Sequence, residues 1–400
     1  MRGFARRTTV EKVFEWLDAN IEQLSSEQVP LLEARRRVLA SDVVSEVDVP
    51  AFERSMMDGF AVHAEDTSGA TMYNRLPLEV IGEVLPGQSF DGQVGDGQVV
   101  RIMTGAPVPS GADAVLPAEK VEIETERIFA QDEVSPGKHI GRSGEDIETG
   151  TTVLRAGRQL RPQDIGVLSS IGTATVDVVR KPRVRIVVTG NELLPPGTRP
   201  RGCQIVDANS PMLAALIERD GGIPINPGIV ADEPDAILAA MQDDADVVIV
   251  SGGSSVGQED HAPNLLAEHG ELTIHGVAMR PSSPVGMGTL EHRLVFLLPG
   301  NPVSCLCAYD FFAGRSIRTL AGFKKEWPYR STKLPLARKL VSTVGRVDYA
   351  RVKIENEQVE PLAISGASVL SSTTRADGFV IIPADSEGFA DGHEVEVFLY

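Results

Sequence analysis

The feature that most restricts the fold is a regular alternation of short apolar runs and helical patterns between residues 182 and 328. Short runs rich in Val and Ile are typical of buried strands, and apolar residues at helical spacing are typical of amphipathic helices. Their alternation predicts βαβ units on a parallel sheet, and therefore an α/β domain. The predicted strands are 183–189, 223–230, 246–250 and 294–298, and the predicted helices are 211–219, 235–241, 261–269 and 303–320.

A loop of small residues follows the predicted strand at 246–250. Gly252 and Gly253 have no Cβ, so the backbone there can come close to a ligand. Successive N–H groups in such a loop can bind an anion, and Asp260 at its end could hold a metal ion on that anion. A single loop of this kind is more often an ordinary turn that binds nothing.

Two further loops of the same type weaken that alternative, because ligands of open parallel sheets bind outside the carboxyl ends of the strands. One loop contains Gly190 and Glu192, and the other runs from Pro299 to Pro302. The helix predicted directly after Pro302 would aim free N–H groups and the positive end of its dipole at a phosphate.

Acidic residues at this predicted rim indicate how a phosphorylated ligand would be held. Glu192, Asp207 and Asp260 favour Mg²⁺, which binds carboxylates together with phosphate oxygens. Asn209 and Ser210, next to Asp207, are also suited to a plain helix N-cap. Arg280 could supply positive charge, although a solvated surface arginine is the common alternative.

The rest of the chain predicts further domains. A capping-box pattern at Thr8 and Glu11 begins a helix over 8–22, and a second helix is predicted over 31–40. Residues 329–400 lack helical patterns and predict a β-barrel. The predicted domains are an elongated helical/β connecting domain (1–50 with 140–181), an inserted β-rich domain (51–139), the α/β domain (182–328) and the C-terminal β-barrel domain (329–400).

Composition excludes several classes of function. The net charge of −18 argues against general nucleic-acid binding, and no apolar run is long enough to span a membrane. Three cysteines do not make a disulfide framework, which predicts core thiols and a cytoplasmic location. The seven histidines lack zinc-ligand spacing.

Five motifs at 57–62, 101–107, 141–146, 251–260 and 298–302 resemble, in order, those of the molybdopterin molybdenumtransferase family, which includes bacterial MoeA and the gephyrin E domain. The resemblance covers essentially the whole chain. It implies a four-domain homodimer that inserts molybdate into adenylylated molybdopterin and releases AMP with the help of Mg²⁺. Contacts with molybdopterin adenylyltransferase and with molybdoenzymes are a further expectation.

The resemblance also implies a site shared between two subunits, in which Asp58 and Thr104 act across the interface. The expected catalytic residues are Asp58, Glu192, Asp260 and Arg280, and the expected metal ligands are Glu192, Asp260 and, with less support, Asp232. The expected substrate-binding residues are Thr104, Arg142, Asp207, Gly252, Gly253, Ser254, Ser255, Gly257, Ser283, Pro299, Gly300, Asn301, Pro302 and Arg346, with Arg375 as a further candidate.

The chain departs from the family pattern at two places. Asn191 stands where the family commonly has Asp in a Thr-Gly-Asp-Glu loop. Arg280 and Ser283 stand where it often has the two lysines of a Lys-Pro-Gly-Lys-Pro segment, so two cations become one. The alternatives left open are a molybdopterin-binding or scaffold paralogue with altered oxyanion preference, such as tungstate, or with reduced turnover. Adenylyl transfer to molybdopterin is a third alternative, against which the four-domain layout speaks.

Overall fold

The computed structural model describes residues 7–124, 127–252, 261–363 and 366–400. By compactness the chain divides into a first unit (Met1–Gln28, Arg36–Ala40 and Asp177–Tyr400) and a second unit (Val29–Arg35 and Ser41–Val176). This division is coarser than the four predicted domains, whose limits stay predictions. The predicted loop residues that lie outside the described residues are Gly253, Ser254, Ser255, Gly257 and Asp260.

The N-terminal segment contains helix α1 (Val10–Asn20) and strand β1 (Ser26–Pro30). The N-cap of α1 is Thr9, whose Oγ1 accepts a hydrogen bond from the N–H of Lys12 at 3.4 Å. The predicted capping role of Thr8 is therefore wrong by one position. Thr8 instead forms a parallel bridge with Val277, which ties the start of the chain to the α/β part of the first unit.

The predicted helix over 31–40 is also wrong. The chain forms only a 3₁₀ turn, Leu31–Glu33, and Arg36 then takes a φ of +64°. A right-handed helix cannot continue through a left-handed residue without a steric cost. Beyond Arg36 the backbone is extended, and the carbonyl of Val38 accepts a hydrogen bond from the N–H of Val179 at 2.8 Å. The backbone groups are thus satisfied by a neighbouring segment rather than within a helix.

The second unit is β-rich, as predicted for this part of the chain. Its main sheet has the strand order β7-β4-β6-β5-β9-β8, in which β5 and β6 are parallel and the other neighbours are antiparallel. Its helices and strands are β2 (Val43–Val44), β3 (Arg54–Ser55), β4 (Gly59–Val62), β5 (Leu76–Val84), β6 (Gln98–Ile102), β7 (Ala114–Pro117), β8 (Val121–Glu124), β9 (Arg127–Ala130), β10 (Ile140–Gly141), β11 (Thr152–Leu154) and α2 (Pro162–Ser170).

The α/β part of the first unit follows the predicted alternation closely. Its helices and strands are β12 (Thr175–Val179), β13 (Arg183–Thr189), β14 (Leu193–Leu194), β15 (Ile205–Val206), α3 (Asn209–Arg219), β16 (Ile223–Ile225), β17 (Ile229–Val230), α4 (Pro234–Gln242), β18 (Val247–Ser251), α5 (His261–His269), β19 (Glu271–His275), β20 (Met279–Arg280), β21 (Gly286–Leu290), β22 (Arg293–Leu298), α6 (Pro302–Ala308) and α7 (Gly314–Leu320). A π-helical turn, Tyr309–Ala313, joins α6 to α7, so the helix predicted over 303–320 is nearly continuous.

The sheet of this part has the order β16-β13-β18-β22-β21-β19, with β17 also beside β13. Strands β16, β17, β13, β18 and β22 are parallel, which confirms the predicted parallel sheet. Strands β21 and β19 extend it as an antiparallel edge that the sequence pattern did not predict. Because helices cover both faces of the parallel core, every residue of β18 is buried, and its sequence shows no alternation.

The C-terminal residues form strands with one short helix. They are β23 (Arg330–Pro335), β24 (Leu340–Val341), β25 (Val347–Glu355), β26 (Gln358–Ala363), α8 (Ser371–Thr374), β27 (Gly378–Ile382), β28 (Gly388–Phe389) and β29 (Glu394–Leu399). The main sheet has the order β20-β25-β27-β29-β23, with β26 beside β25. Strand β20 belongs to the preceding segment by sequence, and it places Arg280 opposite Asp348 in parallel register.

Candidate functional site

Three strands of the α/β part end at one edge of the sheet. Val188 of β13 pairs with Ser251 of β18, and Ser251 pairs with Leu298 of β22. The loops that begin at Gly190, Gly252 and Pro299 therefore start side by side. The structure brings together the three loops singled out in the sequence, as far as they are described.

A cavity of about 390 Å³ opens among these loops, and we call it the rim cavity. This volume falls within the range of small-ligand sites in proteins. It is lined by Val188, Thr189, Glu192, Leu193, Ile205, Val206, Asp207, Ala208, Asn209, Ser251, Gly252, Gly300, Asn301 and Pro302. The described lining residues include no lysine or arginine, so they supply no positive side chain for an anionic ligand.

The backbone conformation at position 252, on the rim, can be adopted without strain only by glycine. Its φ is +105°, a conformation that side chains rarely adopt, and a Cβ at this position would lie 2.7 Å from the carbonyl oxygen of Thr189. Gly300 faces Gly252 under less restriction, since a Cβ there would meet the Gly252 Cα at an ordinary 3.5 Å. The close approach of the strand ends therefore depends on Gly252 much more than on Gly300.

Asn209 connects the strand ends and leaves one acceptor unused. Its Nδ2 donates to Ser251 Oγ at 2.9 Å and to the Gly300 carbonyl at 2.8 Å. A carbonyl can only accept, so this bond fixes which end of the amide is nitrogen. The other end, Oδ1, is buried and has no hydrogen-bond partner in the described part of the chain. Asn209 thus lines the rim cavity and carries a buried acceptor whose hydrogen-bonding capacity is unused among the described residues.

Asp207 caps α3 rather than facing open solvent. Its Oδ1 accepts hydrogen bonds from the N–H groups of Asn209 at 2.9 Å and Ser210 at 3.1 Å, and its Oδ2 accepts one from the Ser210 hydroxyl. The capping role that the sequence offered to Asn209 or Ser210 thus belongs to Asp207. The same bonds occupy both carboxylate oxygens, although Asp207 also lines the rim cavity.

The helix start after Pro302 differs from its prediction. The N–H of Val303 donates to the carbonyl of Ala367 at 2.9 Å, and the N–H of Cys305 donates to Asn301 at 2.9 Å. Pro302 has no N–H group. The expectation that free N–H groups here await a phosphate is therefore wrong for Val303, whose donor is satisfied by a residue 64 positions away in the sequence.

Two of the three predicted metal ligands are described, and they are not equivalent. Glu192 is exposed and lines the rim cavity, whereas Asp232 is half-buried, is not part of the described lining and accepts a hydrogen bond from Thr189 Oγ1 at 2.7 Å. Among residues 7–124, 127–252, 261–363 and 366–400, no group of three or more His, Cys, Asp or Glu side chains could hold a metal ion. The third predicted ligand, Asp260, lies outside these residues.

A second cavity, of about 380 Å³, also borders the loop that contains Asn301, and we call it the arginine cavity. Asn301 lines both cavities. The residues that line the arginine cavity are Arg7, Met279, Arg280, Pro281, Ser282, Ser283, Pro284, Pro299, Asn301, Ser304, Arg346, Gly366 and Ala367. The predicted residues Arg280, Ser283 and Arg346 thus meet in one place, and Arg7 adds a third cation that sequence reasoning missed.

Arg280 is held by a buried carboxylate and is not a solvated surface arginine. Its Nε donates to Asp348 Oδ1 at 3.1 Å, and its Nη2 donates to Oδ2. Asp348 is completely buried. It also accepts a hydrogen bond from Ser342 Oγ at 2.6 Å and lies 3.3 Å from Arg346 Nε. Sequence reasoning missed Asp348, because it lies 68 positions from Arg280 and carries no motif.

The turn beside Arg280 presents a free hydroxyl. Ser282 is buried at a φ of +83°, and its Oγ donates to the Ser304 carbonyl at 2.5 Å. Ser283 Oγ is buried without a hydrogen-bond partner in the part of the chain that the structure describes. A residue held in this sparsely populated conformation is a reason to suspect a functional turn. Arg375 lies outside this set, exposed, with its Nε bonded to the Ser371 carbonyl at 3.2 Å.

The second unit brings Asp58 and Thr104 together. Asp58 precedes β4, Thr104 follows β6, and these strands are antiparallel neighbours. Asp58 Oδ1 accepts hydrogen bonds from the Thr104 N–H at 2.8 Å and the Thr104 hydroxyl at 2.7 Å. These bonds, the one from the N–H first, hold the pKa of Asp58 below its ordinary value. Asp58 is thus an exposed, fixed carboxylate at neutral pH, and Arg142 is exposed in the same unit.

Two of the three cysteines are buried near the rim. Burial raises the pKa of the Cys305 thiol to about 12 and that of Cys307 well above its ordinary value. Cys305 Sγ lies 3.7 Å from Ser251 Oγ, and Cys203 is exposed. A buried thiol that stays protonated does not react as a nucleophile.

We therefore expect a colorimetric thiol reagent to modify one of the three cysteines in the native protein and all three after denaturation. In the control variant Cys203→Ser, the native protein should not react. Rapid modification of a second thiol in the native wild-type protein would show that Cys305 or Cys307 is accessible.

The described fold is that of a multidomain protein whose α/β part has a ligand-sized rim cavity at the carboxyl ends of its strands, the place where open parallel sheets commonly bind small molecules. Three family descriptions match the chain: the MoeA N-terminal region (domain I and II) over residues 8–172, a probable molybdopterin binding domain over 185–319, and the MoeA C-terminal region (domain IV) over 333–400. In the described part of the chain, no helix is long and apolar enough to cross a membrane.

Relatives of this chain cover nearly the same length. The molybdopterin molybdenumtransferase 2 of Mycobacterium tuberculosis is 35% identical over 384 residues, which cover 92% of this chain and 94% of the relative. The molybdopterin molybdenumtransferase of Staphylococcus aureus is 32% identical over 383 residues, covering 93% and 90%. A crystal structure of a molybdopterin biosynthesis MoeA protein from Pyrococcus horikoshii has a TM-score of 0.85 and 34% identity, covering 98% and 99%. The chain belongs to the molybdopterin molybdenumtransferase family, as its motifs predicted.

Proposed function

We propose that this chain is an enzyme of molybdenum cofactor biosynthesis that inserts molybdate into adenylylated molybdopterin and releases AMP. The observation that carries the proposal is the pair of cavities that share Asn301. One is formed by neutral loops and acids, and the other is lined by three arginines. A nucleotide-linked pterin and an oxyanion could therefore be bound side by side, with their reacting groups meeting near Asn301.

The rim cavity is proposed to bind the adenylylated pterin. Buried polar groups in binding sites confer specificity when a ligand satisfies them, and Asn209 Oδ1 is such an acceptor, suited to an N–H of the pterin. Gly252 lets the ligand approach the backbone. Because the described lining includes Glu192 but no basic side chain, the phosphates need positive charge from another source.

Mg²⁺ is the proposed source of that charge, because the expected ligands are all carboxylates. Carboxylates combined with phosphate oxygens and water are its usual ligands in proteins. Glu192 and Asp260 would hold the ion directly, and Asp232 through its oxygen that is not bonded to Thr189. When bound, Mg²⁺ would neutralise phosphate charge and favour departure of AMP. Asn191 in place of an aspartate leaves one negative charge fewer at this edge.

The arginine cavity is proposed to bind molybdate. Molybdate is a tetrahedral dianion, and removing it from water requires positive charge and hydrogen-bond donors. Arg280 and Arg346 supply charge, and Ser283 supplies a hydroxyl without a partner. Arg7 stands at the same cavity, so the loss of a lysine at position 283 does not leave Arg280 as the lone cation there. This favours an active enzyme over a scaffold, as do the names of the relatives.

We further propose a cytoplasmic homodimer whose site is completed by Asp58, Thr104 and Arg142 of a second copy. The two hydrogen bonds that Thr104 donates to Asp58 fix its carboxylate and support a role beyond a tight turn. Contacts with molybdopterin adenylyltransferase and molybdoenzymes would follow from an adenylylated substrate and a cofactor product, and neither membrane nor nucleic acid is an expected partner.

The direct test mixes the pure protein with adenylylated molybdopterin, molybdate and Mg²⁺ and separates the products by chromatography. We expect AMP and a molybdenum-loaded pterin, with neither formed when molybdate or Mg²⁺ is omitted. Tungstate run in parallel measures oxyanion preference. Binding of the pterin without any AMP release would support the scaffold alternative.

Mixing two inactive variants tests the shared site. Asp58→Ala and Asp260→Ala should each abolish most AMP release, whereas a verified heterodimer of the two has one intact site and should regain part of the activity. Mixed chains that both carry Asp58→Ala serve as the control and should stay inactive. An active monomer in light scattering, or no recovery in heterodimers, would reject the shared site.

A further inference from the structure

Asp348 is a buried charge next to the arginine cavity for which the family motifs give no role. It is completely buried, does not line the cavity among the described residues, and is held by three donors. Arg280 reaches it through Nε and Nη2, and Ser342 through its hydroxyl at 2.6 Å. A carboxylate bound by both nitrogens on one edge of a guanidinium fixes the plane of that group. Asp348 therefore determines which way Arg280 points.

The contact with Arg346 has a different character. Arg346 Nε lies 3.3 Å from Asp348 Oδ1 as an ion pair, yet this buried nitrogen has no hydrogen-bond partner among the described residues. Its Nη2 has only a long contact, 3.4 Å, with Thr343 Oγ1. The charge of Asp348 thus keeps Arg346 near the cavity without a hydrogen bond between the two side chains.

The balance of charge at this cavity also depends on Asp348. Arg7, Arg280 and Arg346 contribute three positive charges, and Asp348 contributes one negative charge directly behind two of them. The net charge of these four side chains is therefore +2, which balances the charge of a dianion. Without the carboxylate, two guanidinium groups that are about one-third exposed would repel each other and move towards solvent.

Resting on the function proposed above, we propose that Asp348 is a positioning residue that holds Arg280 in a fixed orientation and keeps Arg346 beside it by charge, so that the arginine cavity selects its tetrahedral oxyanion by size. Donors on fixed side chains discriminate between ligands of different radius, because they cannot follow a smaller one. Sulfate is a smaller tetrahedral dianion than molybdate and is the natural competitor. Loosened arginines would lose affinity for molybdate and would also discriminate less against sulfate.

The test compares Asp348→Asn with wild type at constant ionic strength. The measurements are AMP release against molybdate concentration, inhibition by sulfate, and calorimetric binding of molybdate alone. We expect the molybdate KM to rise by about tenfold, the scale of lost preorganisation of a charged side chain, with a smaller change in kcat. Sulfate should become a relatively stronger competitor.

The matched control is Asp310→Asn. Asp310 is equally buried and bonded to arginine, with Arg219 Nη2 at 2.9 Å, but it lines neither cavity among the described residues. Asp310→Asn should lower thermal stability without changing the ratio of sulfate to molybdate affinity. Asp348→Glu, which restores a carboxylate, should recover part of the discrimination, and Ser342→Ala should shift it slightly in the same direction as Asp348→Asn.

The outcomes separate this inference from the function on which it rests. Wild-type discrimination retained in folded Asp348→Asn would overturn the positioning role. The same discrimination in Asp348→Asn and Asp310→Asn would also overturn it, since stability alone would then explain the effect. If Asp348→Asn does not fold, Ser342→Ala serves as the test. Unchanged discrimination between molybdate and sulfate in Ser342→Ala would then overturn the positioning role of Asp348. Wild-type protein that neither binds nor uses molybdate would instead reject the proposed function.

Discussion

Replacing Arg280 with alanine should raise the molybdate concentration needed for half-maximal AMP release by about 10- to 100-fold, because losing a hydrogen bond to a charged group costs about 1.5–3 kcal/mol. Binding of adenylylated molybdopterin at the rim cavity should change much less. Arg280→Lys keeps the positive charge but loses the planar guanidinium that donates two hydrogen bonds to Asp348. This variant should therefore recover only part of the molybdate affinity that Arg280→Ala loses. The measurement is activity against molybdate and tungstate concentration.

Ser283→Lys is the opposite change at the same cavity. The ammonium would replace the unpaired hydroxyl and add a fourth cation to the three arginines, so it should strengthen oxyanion binding, because attraction between charges grows in a partly desolvated site. Arg375→Ala is the control, since this arginine is exposed and lies outside the described lining of the cavity. Equal molybdate dependence in Arg280→Ala, Ser283→Lys and wild type would remove the oxyanion from this cavity.

Gly252→Ala should be the most damaging single-methyl change at the rim. The residue would have to keep a φ of +105° and accommodate a Cβ 2.7 Å from the Thr189 carbonyl oxygen. Backbone strain of this kind costs about 1–3 kcal/mol, and relieving it would move the strand ends apart. We expect a lower melting temperature together with AMP release reduced by at least about tenfold, which corresponds to ~1.4 kcal/mol in the barrier.

Gly300→Ala provides a comparison on the same rim. Its Cβ would meet the Gly252 Cα at 3.5 Å, an ordinary contact, so its thermal stability should stay close to that of wild type. Thermal unfolding by calorimetry measures both variants. Equal melting temperatures for Gly252→Ala and wild type would show that the loop adopts another conformation from the one described.

Local sequence patterns predicted the α/β core well, because each of its strands and helices produces an apolar run or a helical spacing that can be recognised within a few residues. The run at 183–189 became β13, and 261–269 became α5, with the same limits. Gly252 was also predictable, since a glycine after a buried strand is a local feature. The predicted helix over 31–40 failed because Arg36 takes a left-handed conformation and the next residues bond to a distant segment.

The contacts that sequence reasoning missed join residues that are far apart in the chain. Asp348 accepts a hydrogen bond from Arg280, 68 positions earlier in the sequence. The carbonyl of Ala367 accepts one from the N–H of Val303, 64 positions earlier. Neither partner carries a motif, so neither could be assigned without the fold. The role of Asn209 was hidden for another reason: its position next to Asp207 suits a cap, and only the structure shows its amide turned to Ser251 and Gly300.

Strand β20 has a consequence for how this chain can vary. It belongs to the α/β segment by sequence but hydrogen-bonds to β25, so Arg280, the arginine proposed to bind the oxyanion, and its carboxylate partner come from two different segments. Near this contact between β20 and β25, Phe311 packs edge-on against Trp327 and against Tyr349 of β25. Exchanging the C-terminal segment for that of another relative would therefore replace the counter-ion of the site as well as its support. Under the proposed function, we therefore expect substitutions on the two sides of the β20–β25 contact to be coupled, so that oxyanion preference would be a joint property of both segments.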